Sequence, residues 1–251
     1  MSGALRLEGI SKNFGGLEVL ASVDLEIPAG ERHALIGPNG AGKTTLINII
    51  TGKYRPSKGG VRFDGTNISE WSPYRRVRLG IARSFQIINV FPEMTVFENM
   101  RNAMLSKEGI RVNALRSLRR LRRVHEEADR AIEVVGLGAF HDVPAGELAY
   151  GKQRTLEIGL TLALAPRLLI LDEPTAGISS AETHEMTALL RRMTEGRTMI
   201  LVEHDMDVVF ALADRISVLH YGRILAQGSP DDIRQNAEVK EAYLGTRDSR
   251  P

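Results

Sequence analysis

Residues 37–44 have the sequence Gly37-Pro38-Asn39-Gly40-Ala41-Gly42-Lys43-Thr44, which fits the pattern G-x-x-x-x-G-K-[ST] at every fixed position. In this pattern the glycines let successive backbone N–H groups converge on an anion without a clash from Cβ atoms. The lysine supplies a charge for the β- and γ-phosphates, and the hydroxyl of Thr44 can bind Mg²⁺. An apolar strand at 32–36 and a helix at 44–51 flank the stretch. The stretch therefore predicts a phosphate-binding loop.

A phosphate-binding loop needs a carboxylate for the metal, and residues 168–173, Leu-Leu-Ile-Leu-Asp-Glu, offer two. The apolar run predicts a buried strand that delivers Asp172 to the nucleotide edge of a sheet. Glu173, one residue further, points elsewhere and could polarise a water molecule against the γ-phosphate. Strands often end in acidic residues, so this motif alone is weak evidence for a metal site. It becomes strong evidence because a matched phosphate-binding loop precedes it in the chain.

The remaining chain shows a change of pattern from strand-rich to helical and then to alternating elements. We predict strands at 5–14, 19–27, 32–36, 168–171, 198–202 and 216–219, and a hairpin at 61–68. We predict helices at 44–51, 181–194 and 206–213, another after Gly151, and a helical region from 96 to about 135 that ends at Gly136. Strands that alternate with helices indicate a mostly parallel sheet. The pattern therefore predicts a mixed core interrupted by a helical lobe near 87–159.

Composition excludes several classes of protein. Of the 251 residues, 43% are hydrophobic and 25% are charged, which excludes a disordered, collagen-like or disulfide-stapled chain. The chain has no Cys, so disulfides, thiolate metal sites and a cysteine nucleophile are impossible. Lys and Arg total 33 against 31 Asp and Glu, and a net charge of +2 makes no strong case for nucleic acid. The longest apolar runs, 160–165 and 168–171, fall short of the roughly 20 residues of a membrane span, and no secretion signal is visible.

Several further segments, in order around these two motifs, resemble the motifs of the ATP-binding cassette (ABC) ATPases. Leu148-Ala149-Tyr150-Gly151-Lys152-Gln153 is similar to the family signature LSGGQ, and Ala176-Gly177-Ile178-Ser179 is similar to the D-loop. Gln86 resembles the Q-loop glutamine, His204 the switch histidine, and Phe14 the aromatic residue that stacks on adenine. The resemblance covers essentially the whole chain.

The resemblance implies an α/β fold: a P-loop NTPase (RecA-like) core with a mixed sheet, an N-terminal antiparallel β subdomain and an inserted α-helical subdomain. It implies one ABC ATPase domain over residues 1–251. Within it we expect a catalytic core at 1–86 and 160–228, a helical subdomain at 87–159 and a C-terminal helical tail at 229–251.

The resemblance also implies the cofactors ATP and Mg²⁺ and a role for each motif. Glu173 would orient or deprotonate the attacking water, His204 would contact the γ-phosphate, and Gln86 would sense Mg²⁺. The implied metal ligands are Thr44, Gln86 and Asp172. The implied nucleotide contacts are Phe14, Gly37, Pro38, Asn39, Gly40, Ala41, Gly42, Lys43, Thr44, Thr45, Ala149, Tyr150, Gly151, Lys152 and Gln153. The signature residues would act on the nucleotide of a second cassette that packs head to tail.

One position departs from the family pattern. Ala149 stands where the signature has serine, and Tyr150-Gly151 represents the glycine pair. A hydroxyl donor to the γ-phosphate is therefore missing, and such a hydrogen bond contributes about 1.5–3 kcal/mol. Backbone N–H groups and the helix dipole are still available, so we expect a weaker grip on the nucleotide rather than an inactive site.

The C-terminal stretches 222–228, 231–234 and 239–245, with 14–17 and 85–99, resemble the ATPases of branched-chain amino-acid importers. Residues 156–159 also occur in the related urea and amide importer ATPases. The implied protein is a peripheral motor subunit at the cytoplasmic face of the membrane. Its implied partners are a second ATPase subunit, homo- or heterodimeric, separate transmembrane permease subunits and, indirectly, a substrate-binding protein.

Two other functions stay open at this point. One is a soluble ABC ATPase that acts on nucleic acid or ribosomes, although no second cassette is seen and no nucleic acid is expected. The other is a regulatory nucleotide switch with little turnover, which the presence of Glu173 and His204 disfavours. The basic run of the helical lobe fits a solvated helix face, contact with anionic lipid, or nucleic acid. This run consists of Arg111, Arg116, Arg119, Arg120, Arg122 and Arg123.

Overall fold

A computed structural model describes residues 4–84, 90–107 and 118–244. The strands are β1 (Leu5–Phe14), β2 (Leu17–Ile27), β3 (Arg32–Ile36), β4 (Lys58–Phe63), β5 (Thr66–Asn67), β6 (Ile81–Arg83), β7 (Leu168–Asp172), β8 (Thr198–Val202), β9 (Arg215–His220) and β10 (Arg223–Gly228). The helices are α1 (Lys43–Ile50), α2 (Pro73–Leu79), α3 (Val96–Lys107), α4 (Leu118–Val134), α5 (Tyr150–Ala163), α6 (Ser180–Met193), α7 (Met206–Leu212), α8 (Pro230–Gln235) and α9 (Ala237–Leu244).

The larger sheet has six strands in the order β10-β9-β3-β8-β7-β6. All neighbouring pairs are parallel except the β9–β10 hairpin at one edge. Strands β7 and β8 are buried along their whole length, as expected for apolar runs in a sheet covered on both faces. Because the carboxyl ends of parallel strands meet at one edge, the segments that follow β3, β7 and β8 come together there.

The smaller sheet is antiparallel, in the order β2-β1-β4-β5. Along β2, buried residues alternate with exposed ones over its second half, as in a sheet with one face on a core. Asp64 and Gly65 form the turn between β4 and β5, both with positive φ, 47° and 77°. The predicted mixed and antiparallel elements of the fold class are thus both present.

Contacts divide the chain into two compact units. The first unit comprises Met1–Arg83, Arg167–Glu173 and Leu190–Pro251, and it contains both sheets. The second unit comprises Ser84–Pro166 and Pro174–Leu189, and it contains helices α3, α4 and α5. The functional division into core, helical subdomain and tail stays a prediction.

Helix α4 of the second unit has an apolar stripe and a charged face. Val124, Ala128 and Ile132 recur every four residues and are buried, whereas Leu121 is exposed. Because a helix has 3.6 residues per turn, every fourth residue returns close to the same face, which keeps these three side chains in one stripe. The helical region predicted from 96 to about 135 contains α3 and α4. Across the described ranges, every helix is too short or too polar to cross a bilayer.

Candidate functional site

The predicted phosphate-binding loop joins β3 to α1 in the first unit. Gly37 has φ +152°, and a Cβ atom there would overlap the carbonyl oxygen of Leu219, so the close approach of β9 requires glycine. Gly40 has φ +80°, and a Cβ atom there would meet nothing within 4 Å. Asn39 and Gly40 are exposed, whereas Ala41 is buried. The loop thus packs on one side and is open on the other, as an anion cradle requires.

Lys43 begins α1 and is buried, with 7% of its surface exposed. Its Nζ donates hydrogen bonds to the carbonyl oxygens of Gly37, at 2.6 Å, and Pro38, at 3.1 Å. Burial lowers the pKa of Lys43, while Glu173 and Asp172 act in the opposite direction, so both carboxylates lie within electrostatic reach of the ammonium. Thr44 is exposed and Thr45 half-buried in the first turn of α1, directly behind the loop.

Asp172 is the last residue of β7 and has only 1% of its surface exposed. Its Oδ2 pairs with Nη2 of Arg83, the last residue of the neighbouring strand β6. Nη1 of the same guanidinium donates to Oδ1 of Asn48 on α1, at 2.8 Å. Sequence reasoning missed Arg83 and Asn48, because Arg83 and Asp172 are 89 positions apart and only the strand order brings them into contact.

Glu173 and His204 lie side by side after β7 and β8. Nε2 of His204 is 3.0 Å from Oε1 of Glu173, and the backbone N–H of Glu173 donates to the carbonyl of Val202 at 2.8 Å. Glu173 has φ +50°, which a non-glycine residue adopts at a cost on the order of 1–3 kcal/mol and which is common at functional sites. Asp205, the residue after His204, caps α7 by accepting from the N–H of Asp207, and so the helix begins at Met206.

Phe14 ends β1 and is 41% exposed. Its ring meets that of Tyr54 edge to face, with centroids 5.3 Å apart, and Nζ of Lys12 lies 4.9 Å from its centroid. Sequence reasoning missed Tyr54 and Lys12. Lys12 lies two positions before Phe14, and residues two apart share one face of a strand, so this spacing could have predicted the contact.

The signature-like segment belongs to the second unit, at the start of α5. Ala149 is the exposed N-cap residue and makes no side-chain capping bond. Gly151 is buried, and a Cβ atom there would overlap the carboxylate of Glu182. Lys152 pairs with Glu185, Nζ to Oε2 at 3.5 Å. Gln153 turns back and donates from Nε2 to the carbonyl of Leu148, at 2.9 Å.

Tyr150 covers the D-loop-like segment of the same unit. A Cβ atom added at Gly177, which has φ +78°, would lie 3.2 Å from Cε1 of Tyr150. Ser179 directly precedes α6, and its N–H and hydroxyl both donate to Oε2 of Glu182, at 2.9 and 2.7 Å. The tyrosine that replaces a signature glycine thus rests on a second predicted motif.

The structure brings Lys43, Asp172, Glu173 and His204 together at the carboxyl edge of the six-stranded sheet. It does not describe Gln86, which falls outside the described ranges. Within those ranges no group of three or more His, Asp or Glu side chains converges on a possible metal position. Mg²⁺ usually binds through one or two protein oxygens and takes its remaining ligands from phosphate and water. The carboxylate of Asp172 and the hydroxyl of Thr44 fit such a metal.

Comparison with known families gives two matches. A family described as ABC transporter matches residues 20–176, and one described as branched-chain amino acid ATP-binding cassette transporter matches residues 223–249. The chain is 39% identical over 250 residues to the high-affinity branched-chain amino acid transport ATP-binding protein BraF of Pseudomonas aeruginosa, covering 96% of this chain and 97% of that protein. It is also 39% identical over 248 residues to LivG of Escherichia coli K12, with the same two coverages.

Solved structures agree with these matches. The chain superimposes with a TM-score of 0.79 and 31% identity on a nucleotide-free ATP-binding cassette from an ABC transporter, covering 96% of this chain and 98% of that one. An ATP-binding cassette of an ABC transporter in its ADP conformation matches with a TM-score of 0.83 and 30% identity, covering 98% of this chain and 100% of that one.

Proposed function

The chain belongs to the ABC transporter family, as an ATP-binding subunit with the P-loop ATPase fold, and from this premise we propose that it powers the import of branched-chain amino acids or related small solutes. ATP would be its substrate, and separate membrane subunits would form the pore. The observation that carries the proposal is the convergence of Lys43, Asp172, Glu173 and His204 beside an open phosphate-binding loop.

The phosphate-binding loop and Lys43 would hold the triphosphate. Two loop carbonyls now accept from Nζ of Lys43, and phosphate oxygens offer it stronger, charge-assisted hydrogen bonds. The free side of the loop at Gly40 leaves backbone N–H groups accessible to an anion. The half-exposed ring of Phe14, supported by Tyr54, would stack on the adenine.

Glu173 and His204 would handle the attacking water. The 3.0 Å contact between His204 Nε2 and Glu173 Oε1 sets the orientation of the carboxylate. A carboxylate so held can orient a water or accept its proton, and His204 can donate toward the γ-phosphate. Gln86 would join them as a sensor of the metal.

Thr44, Asp172 and Gln86 would hold Mg²⁺. When bound, this ion neutralises charge on the β- and γ-phosphate oxygens. Asp172 suits the role because a buried carboxylate at a strand end is held in one place, and Thr44 is exposed at the start of α1.

The signature-like residues of one cassette would act on the nucleotide of a second cassette. The residues concerned are Ala149, Tyr150, Gly151, Lys152 and Gln153. Ala149 and Tyr150 are exposed, and α5 begins without a side-chain cap, so its first N–H groups are available to an outside acceptor. The chain would work at the cytoplasmic face of a membrane with permease subunits and, indirectly, a substrate-binding protein.

The choice of solute is supported by the C-terminal match over residues 223–249 and by the names of the relatives. The nucleic-acid alternative gains no support from helix α4. Arg122 pairs with Glu126 at 3.1 Å and Arg123 with Glu127 at 2.7 Å, each one turn further on. Such pairs are typical of a solvated helix face. Arg111 and Arg116 lie outside the described residues.

Uptake of radiolabelled leucine by cells that lack this chain tests the proposal. We expect uptake to fall, and to return with the wild-type chain but not with Lys43→Ala, which lacks the phosphate-binding charge. Unchanged leucine uptake together with lost uptake of urea or an amide would correct the solute. Unchanged uptake of all these solutes, or full rescue by Lys43→Ala, would contradict an ATP-driven import role.

A further inference from the structure

Arg83 connects three elements of the first unit at the predicted metal position. Its Nη2 contacts Oδ2 of Asp172 at the end of β7, and its Nη1 donates to Oδ1 of Asn48 on α1 at 2.8 Å. The three side chains are largely or fully buried, and Asn48 is 6% exposed. The guanidinium therefore links the carboxylate to the helix that follows the phosphate-binding loop.

The positive charge of Arg83 compensates the buried negative charge of Asp172. A carboxylate whose side chain is 2% exposed has lost most of its hydration, and a cation in contact with it offsets part of that cost. Nε of Arg83 is buried and has no hydrogen-bond partner among the described residues. The position of this guanidinium therefore leaves one of its N–H donors without an acceptor. The placement favours charge neutralisation of Asp172.

The same contact opposes a metal ion. A divalent cation that uses Asp172 as a ligand would meet the positive charge of Arg83 on the same carboxylate. Two cations near one buried anion repel each other strongly, because the low local dielectric weakens screening. Lys43 adds a further positive charge within electrostatic reach of Asp172.

We propose that Arg83 is a positioning residue that acts as the counter-cation of Asp172 until Mg²⁺ enters, so that metal loading must compete with an internal arginine. The inference rests on the proposed function, since it assumes that Asp172 serves a nucleotide-bound Mg²⁺. Arg83 thereby raises the Mg²⁺ concentration needed for tight nucleotide binding and keeps Asp172 oriented in the metal-free protein. Asn48 contributes by holding the guanidinium in place.

Binding of methylanthraniloyl-ATP to the full chain, followed by fluorescence during a Mg²⁺ titration, tests the inference. The readout is the Mg²⁺ concentration that gives half of the metal-dependent increase in binding, and it requires no turnover. The variant Arg83→Met removes the charge and keeps much of the side-chain volume. The matched control is Arg32→Met, which breaks an Arg–Asp pair with Asp214 at the amino end of β3, with Nη2 and Oδ1 2.6 Å apart.

We expect Arg83→Met to lower the half-point by about tenfold, the effect of removing one competing charge of modest net strength, and Arg32→Met to leave it unchanged. An unchanged or higher half-point in Arg83→Met would overturn the inference while leaving the proposed function intact. If wild-type protein fails to bind the nucleotide at any Mg²⁺ concentration, the proposed function fails, and the inference with it.

Asn48→Ala provides a second test if Arg83→Met does not fold. It keeps both charges and removes only the anchor at Nη1, so the half-point should fall by a smaller factor, roughly two- to fivefold. An Asn48→Ala half-point equal to or above the wild-type value would overturn the inference.

Discussion

The phosphate-loop end of the first unit and the start of helix α5 in the second unit differ in what their key groups contact. At the phosphate-loop end, Lys43 donates to loop carbonyls, Asp172 pairs with Arg83, and Glu173 contacts His204. In the second unit α5 begins at an exposed alanine without a side-chain cap. The ionic groups of the first region are held by partners within the chain, whereas the first turn of α5 has no side-chain cap.

Glu173→Gln gives the largest expected effect and tests the first region. The amide keeps the shape and cannot accept a proton, so phosphate release should fall by about 10²–10⁴-fold. Nucleotide binding should persist, and the ATP-bound dimer should accumulate. Phosphate release measured beside methylanthraniloyl-ATP binding separates the two effects, and unchanged release would remove Glu173 from the role of base.

Arg154→Met tests whether the second unit also depends on a buried charge. Arg154 is 1% exposed, and its Nη1 lies 2.6 Å from Oε2 of the buried Glu157. Its Nε also donates to the carbonyl of Pro174, at 3.3 Å. Loss of the cation leaves a buried carboxylate with less compensation, so the free energy of unfolding in urea should fall by about 3–5 kcal/mol.

The matched control for Arg154→Met is Arg122→Met on α4. It breaks an exposed pair with Glu126 and should change the free energy of unfolding by less than about 0.5 kcal/mol. Similar losses in both variants would mean that burial of the ion pair does not set its contribution.

Ala149→Ser adds a hydroxyl group at the N-cap of α5, which can both accept and donate a hydrogen bond. A serine N-cap can accept from an N–H in the first turn of α5 and contributes about 1 kcal/mol to stability. Its hydroxyl can also donate to a phosphate of the partner nucleotide, so ATP-induced dimerisation should strengthen by about tenfold. Analytical ultracentrifugation with ATP in the Glu173→Gln background would measure this, and equal or poorer dimerisation would count against it.

His141→Gln gives the smallest expected effect and concerns surface charge in the second unit. Burial lowers the pKa of His141, but hydrogen bonds to Asp142 and Asp129 and their charges outweigh it and raise the pKa above its ordinary value. The ring also stacks on Phe97 of α3, which in addition contacts His125 and lies under the guanidinium of Arg101. A raised pKa stabilises the fold fully below the unfolded-state pKa and loses that effect as pH rises through the folded-state pKa.

The variant should therefore lose stability at about pH 5.5 and match the wild type at about pH 8.5. Because these groups face water, the difference should stay below about 1 kcal/mol. Thermal or urea unfolding at the two pH values measures it, and a loss that is larger at the higher pH would reverse the sign of the argument.

Local signals predicted most of the regular elements. Strand β1 has the predicted bounds, and α1 begins and ends one residue earlier than expected, since these segments carry their own periodicity and glycine punctuation. Strand β6 has three residues and β5 two, and they form because their neighbours in the sheet offer hydrogen bonds. A three-residue segment carries no periodic signal of its own, so the prediction passed over β6. It also passed over α2 and β10, although they are as long as α7 and β9, which it found.

The phosphate-binding loop could be predicted from residues 37–44 alone, because its glycines permit the positive φ values that the loop adopts and its lysine follows them at a fixed position. The residues that contact each charged side chain could not be predicted from single motifs. Arg83 reaches Asp172 only because β6 lies beside β7, and Tyr150 reaches Gly177 only because two segments of the second unit fold together. The local sequence determines the chemistry of each single motif. Tertiary packing determines which distant groups lie together in a buried environment where charges are weakly screened.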